Sequence, residues 1–199
     1  MILKGRRSCF SFIGNIVYYN LDLSTAFHVF DSAIAPTMLY GSEIWAMPNF
    51  KSKLYEKHLP FFCIEEVLRE HPIEAIHLQF AKICLGVKKN VVNEAIYGET
   101  GRYPLFIRYF KSIVSFWTHI INANENSLLH LAYQEDRKLS DQGKDTWCFG
   151  LRRILDYYGQ THVWDSQGVG IKNFPMLFEK EMKSHFDVLV QQGRKSIIL

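Results

Sequence analysis

The stretch PLFIRYFKSIVSFWTHII, Pro104 to Ile121, decides the fold class. Ile107, Phe110, Val114, Trp117 and Ile121 recur at the three- and four-residue intervals that line one side of an α-helix. Pro104 suits the start, because the first turn of a helix leaves its N–H groups unbonded and proline has none to lose. The polar run Asn122 to Asn126 suits the stop. An apolar face of this length has to be covered by other elements, and the segments on either side have the same period. The expected fold is therefore mostly α, an irregular multi-helix bundle with ordered loops and no substantial sheet.

Upstream, Pro72 opens a helix in which Ile73, Ile76, Phe80 and Ile83 share a stripe, with Gly86 as its stop. Ser24 is the expected N-cap of a segment whose Phe27, Phe30 and Ile34 fall on one face, and Pro36 should end or kink it. Downstream, Ser127 should cap SLLHLAYQEDRKL, Asp145 or Thr146 should cap WCFGLRRILDYYG, and PMLFEKEMKSHFDVLVQQG should run from Pro175 to a stop at Gly193. THVWDSQGVGIKNFP, rich in Gly, Asp, Ser and Asn, is expected to be an ordered loop. The break at Asn122 to Asn126 divides the chain into residues 1–124 and 125–199.

The segment just before the deciding helix, AIYGETGRY, sets Glu99 and Arg102 among Gly98, Gly101 and Pro104. It is expected to be a corner: the two glycines bend the chain and Pro104 starts the next helix. Glu99 and Arg102 then pin the turn through each other or through neighbouring backbone, or Arg102 reaches out to a phosphate. Replacing Glu99 by glutamine should cost about 1–3 kcal/mol if its partner is buried. A second Tyr-Gly corner, YGSEIW from Tyr40, pairs Gly41 with Glu43 in the same way.

Composition sets further bounds. With 199 residues, 48% of them hydrophobic, the chain can bury a sizeable core. A net charge of +3 is too mild for a generally basic nucleic-acid binder, but Lys4, Arg6 and Arg7 meet no acid before Asp22. Cys9, Cys63, Cys84 and Cys148 stand apart among apolar neighbours, as free thiols of a reducing compartment do. The loose set His58, Cys63, His71, His77 and Cys84 matches no zinc-ligand spacing. No apolar run reaches the length of a membrane span, and CFSFIGNIVYY lacks the cleavage site of a signal peptide. Neither a paired-carboxylate metal motif nor a nucleophile or phosphate-loop signature occurs.

Four strings, in this order, resemble the region behind the polymerase palm in proteins of non-LTR (LINE-type, jockey-like) retrotransposons: FDSAIAPTMLYGSEIW, IEAIHLQFAKICLGVKKNVVNEAIYGETGRYPL, SFWTHII and THVWDSQGVG. The resemblance runs from about Lys4 to Phe186. It implies a fragment of an RNA-directed DNA polymerase: a thumb-like and connecting helical region over 1–124 and a C-terminal helical region over 125–199. The family's catalytic aspartates lie upstream of such a fragment, so no catalytic residue, metal or cofactor is implied, and Met1 falls inside a thumb helix. The implied partners are an RNA/DNA duplex, held weakly and without sequence preference, and the missing palm domain, in an intracellular setting without membrane contact. Phosphate contacts fall to Lys4, Arg6 and Arg7 first, then to Lys88, Lys89 and Arg102. The alternative is an inert helical scaffold or protein-interaction module that packs on the palm, and as a fragment the chain is expected to expose an apolar patch on residues 1 to 60.

Overall fold

A computed structural model describes residues 2–19, 21–47, 71–168 and 173–197. Among the described residues every regular element is helical and none is a strand, as the 3.6-residue periodicity requires. The helices are α1 (Ile2–Tyr19), α2 (Leu23–Val29), α3 (Ala35–Leu39), α4 (Pro72–Cys84), α5 (Asn93–Thr100), α6 (Leu105–Ile121), α7 (Leu128–Asp141), α8 (Trp147–Tyr157), α9 (Thr161–Asp165) and α10 (Phe174–Ile197). A π-helical turn, Phe30–Ile34, joins α2 to α3, and residues 42–47 add a short helix.

Several helix starts follow local capping chemistry. Ser127 accepts from the His130 N–H at 3.2 Å, and Thr146 from that of Phe149 at 3.3 Å. Pro72 does stand at the first turn of α4, behind a His71 cap whose ring nitrogen accepts from Ile73. Elsewhere the expected signal is displaced. Asp22, rather than Ser24, caps α2, taking both the N–H and the hydroxyl of Thr25. Pro36 neither ends nor breaks the helix. Its ring would meet the carbonyl four residues back, and the chain widens into a π turn in which the Ala35 N–H reaches the Phe30 carbonyl. Helix α10 continues through Gly193 to Ile197, and Thr161–Asp165 of the expected loop is helical.

The described chain forms two compact units that interleave along the sequence, so the break at Asn122 to Asn126 lies inside one of them. The first unit takes α1 to α3, α4, α5, the first residues of α6 and the part of α10 from Phe186 onward. Its core is aromatic: Phe80 of α4 meets Phe12 at 6.3 Å, Phe27 at 5.6 Å and Phe30 at 4.6 Å between ring centres.

The second unit takes Gly41 to residue 47 and Ile107 to His185. Trp117 is fully buried there, stacked on Trp164 at 5.8 Å and edge-on to Phe174 at 6.2 Å. Its indole N–H donates to the Tyr133 hydroxyl at 3.0 Å, which in turn donates to Gln167 at 2.6 Å. Helix α8 is capped from outside as well, since Asp136 of α7 accepts the Cys148 N–H at 2.7 Å.

Candidate functional site

The corner before α6 is built differently from its sequence reading. Gly98 and Glu99 belong to the last turn of α5 and bend nothing; Glu99 is exposed. Only Gly101 makes the turn, ending α5 in the left-handed conformation at φ 61°, with the Arg102 N–H returned to the Tyr97 carbonyl at 3.2 Å. Pro104 is buried directly ahead of Leu105, the first residue of α6. At the other corner Gly41 does turn the chain, at φ 70°. Glu43 there lies in the helix over 42–47 and contributes its backbone carbonyl, which accepts the Trp147 indole N–H at 2.9 Å.

The acid that holds the first corner is Glu74, from α4. It is buried, with 2% of its surface exposed, and its carboxylate accepts three donors. Oε2 takes the Leu105 N–H at 2.7 Å, while Oε1 takes the Tyr97 hydroxyl and His77 Nδ1, the latter at 3.0 Å. His77 Nε2 faces Arg102 Nε at 3.4 Å, and a guanidinium can only donate. That contact puts the histidine proton on Nδ1, toward Glu74. The carboxylate thus does for α6 what an N-cap side chain does, from a helix far away in sequence, and its charge suits the positive end of the helix dipole.

Arg102 closes the set. Its Nη2 donates to Asp31 in the π turn, and its guanidinium lies 4.5 Å from the Phe27 ring centre. The acid it pairs with is therefore Asp31 and not Glu99, and with 15% of its side chain exposed it is already committed inside the fold. Two shallow hollows flank it. One, of about 570 Å³, is lined by Leu23, Ser24, Phe27, His28, Asp31 and Thr100. The other, of about 270 Å³, lies against Tyr97, Tyr103, Phe186 and Asp187, where the Tyr103 hydroxyl donates to Asp187 at 3.0 Å.

No protein-family model, no curated protein and no solved structure matches the chain.

Chemically, the buried set closes on itself. Both histidine nitrogens and both carboxylate oxygens are engaged within the set. Among the described residues no group of three or more His, Cys, Asp or Glu side chains could hold a metal ion. Of the loose set, His71 serves as a cap and His77 as a Glu74 partner, Cys84 is a free, half-buried thiol, and His58 and Cys63 lie outside the described residues. Burial pushes the Cys84 thiol up to about 11 and the Cys9 thiol to about 12, Cys84 adding to the latter, so neither is an activated nucleophile.

The remaining basic residues are on surfaces. Arg6 and Arg7 are exposed on α1; the side chain of Lys4 lies outside the described residues. Lys88 and Lys89 are exposed just past Gly86, where the chain turns at φ 65°, and their carbonyls receive the Val91 N–H at 3.2 Å and the Lys82 ammonium at 3.0 Å. The structure therefore separates Arg102 from the other expected phosphate ligands. Sequence reasoning passes over Glu74, Tyr97 and Asp31, and considers His77 only in a set without zinc-ligand spacing. Glu74 looks like any acid in a first helical turn, and only its neighbours 23 and 31 residues on make it special.

Proposed function

We propose that the chain is a non-catalytic region of an RNA-directed DNA polymerase of the non-LTR retrotransposon type, making weak, sequence-independent contacts to nucleic-acid phosphates. The resemblance of its ordered strings to that family supplies the context. The observation that carries the reading is α1, which presents Arg6 and Arg7 to solvent on a segment with no acid before Asp22. Lys88 and Lys89 are a second, smaller basic point, while Arg102 belongs to the fold's internal support.

The test is equilibrium binding of the purified chain to an RNA–DNA duplex over a salt series. Affinity should fall steeply with salt, and the double variant Arg6→Gln, Arg7→Gln should lower the logarithmic slope by about 1.8, close to 0.9 for each phosphate that is no longer neutralised. Binding without salt dependence, or none at all, would remove this reading.

A second reading, a helical scaffold that packs on a palm domain, is favoured by the large exposed side chains of the first unit: Tyr19, Leu23 and Tyr40 expose 67%, 38% and 71% of their surfaces. Under it the chain binds a co-expressed palm domain and ignores the duplex.

A further inference from the structure

We propose that the outward face of α1 holds a strand end: Phe10 offers its ring to an unpaired nucleobase while Arg6 and Arg7 take the neighbouring phosphates. This inference rests on the nucleic-acid reading above and narrows it to a junction between duplex and single strand.

Phe10 is a large aromatic left 39% exposed on a helix whose other side is firmly seated. Cys9 is buried at 1% exposure, and Phe12 stacks on Phe80 at an interplanar angle of 14°. The platform is therefore anchored, and the exposure of Phe10 follows from its position around the helix. At about 100° per residue, Phe10 falls between Arg6 and Arg7, one turn on from the former. The Arg6 guanidinium lies 5.6 Å from the Phe10 ring centre, a cation beside the π face. Helical side chains lean toward the N-terminus, so Phe10 lies over the arginine turn. One turn on, Gly14 is exposed and adds no side chain of its own.

Charge and shape point to the same occupant. An acid-free segment bearing two exposed arginines attracts phosphates, and an exposed ring flanked by cations accepts a flat aromatic group. Bases inside a duplex are already stacked and out of reach of such a ring. An unpaired base at a strand end is free to leave its neighbour and stack on Phe10.

The experiment compares three probes by fluorescence anisotropy on the full chain: a blunt RNA–DNA duplex, the same duplex with a short single-stranded overhang, and phosphatidylserine vesicles. The overhang should bind about fivefold tighter or more than the blunt duplex. Phe10→Leu, which keeps an apolar side chain but loses the ring, should erase that preference. Arg6→Gln should weaken both duplexes, and circular dichroism verifies that each variant is folded. Equal affinity for both duplexes, or a preference that survives Phe10→Leu, overturns the inference while duplex binding stands. Absence of salt-dependent binding to either duplex overturns it together with the reading beneath it, as does binding confined to the vesicles.

Discussion

Glu74 Oε2 accepts the backbone N–H of Leu105 at 2.7 Å, joining residues 31 positions apart. The first turn of α6 is thus satisfied by a carboxylate delivered from α4, and the same carboxylate gathers Tyr97 and His77. A buried acceptor that serves three donors cannot be removed without stranding them.

Glu74→Gln should therefore destabilise the chain by about 1–3 kcal/mol, since an amide keeps one acceptor and turns a donor toward groups that also donate. Glu74→Ala should cost about 3–5 kcal/mol, in the range for breaking a buried charged set. Glu99→Gln, on the exposed last turn of α5, should stay within about 0.5 kcal/mol of the parent. Urea unfolding of the three variants checks the ranking. It also replaces the expectation from sequence that Glu99 is the acid that matters.

Arg102 binds Asp31 and lies over Phe27 through a flat, delocalised group. Arg102→Lys should lose about 1–2 kcal/mol despite keeping the charge, because an ammonium reproduces neither the ring contact nor the fork. Its affinity for an RNA–DNA duplex should match the parent's. A drop in duplex affinity in a variant shown to be folded would return Arg102 to the phosphate ligands.

Alkali should unfold the chain through its buried acids. Burial pushes the Cys9 thiol from an ordinary 9.0 to about 12, and Tyr133 from 10.0 to about 12 against the opposing hydrogen bond from Trp117. Between those values the unfolded chain has given up protons that the folded chain still holds, so the folded state is penalised as pH rises. Stability should be level below about pH 9 and decline from there toward about pH 12. Tyr133→Phe should lower stability at neutral pH, by loss of its bonds to Trp117 and Gln167, yet flatten the decline above about pH 10. Denaturant midpoints across a pH series give both slopes.

Gly168 turns the chain at φ 69°, and a Cβ there would stand 2.8 Å from Ile121 Cδ1. Gly168→Ala should cost more than Gly143→Ala, which shares the positive φ at 76° but meets nothing within 4 Å. The first should lose about 2 kcal/mol and the second about 1 kcal/mol. Adding Ile121→Val, which removes the opposing methyl, should recover part of the difference. Thermal melts of the single and double variants separate the steric share from the backbone share.

What the sequence makes legible is what is local. The apolar stripe of α6, the caps at Ser127 and Thr146 and the stop at Gly86 all rest on residues within a turn or two of one another. Local signals also compete. Asp22 and Ser24 are both good caps, and the acid two residues earlier wins by holding Thr25 with two bonds. Gly98 reads as a bend, yet one glycine in the last turn of α5 costs only about 1 kcal/mol, which packing of Ile96 and Tyr97 offsets. Glu74 lies beyond the reach of local patterns, because its role is created by chain segments that fold back onto it. Arg6 and Arg7 show the reverse case: their position on the acid-free start of the chain is readable, and their exposure agrees with it.

The π turn at Phe30–Ile34 holds one residue more than an α turn would need, so it has the form of a single-residue insertion absorbed within a helix. Deleting Ser32 would let the backbone relax to an unbroken α-helix and would swing one flank by about 100° about the axis relative to the other. Phe30 and Met38, both fully buried, could then no longer face the core together, and Asp31 would leave Arg102. A chain shortened at this point gains regularity and loses its fold. The irregular helix is thus the stretch least tolerant of length change in the first unit, and comparison of related chains should find substitutions there but no gaps.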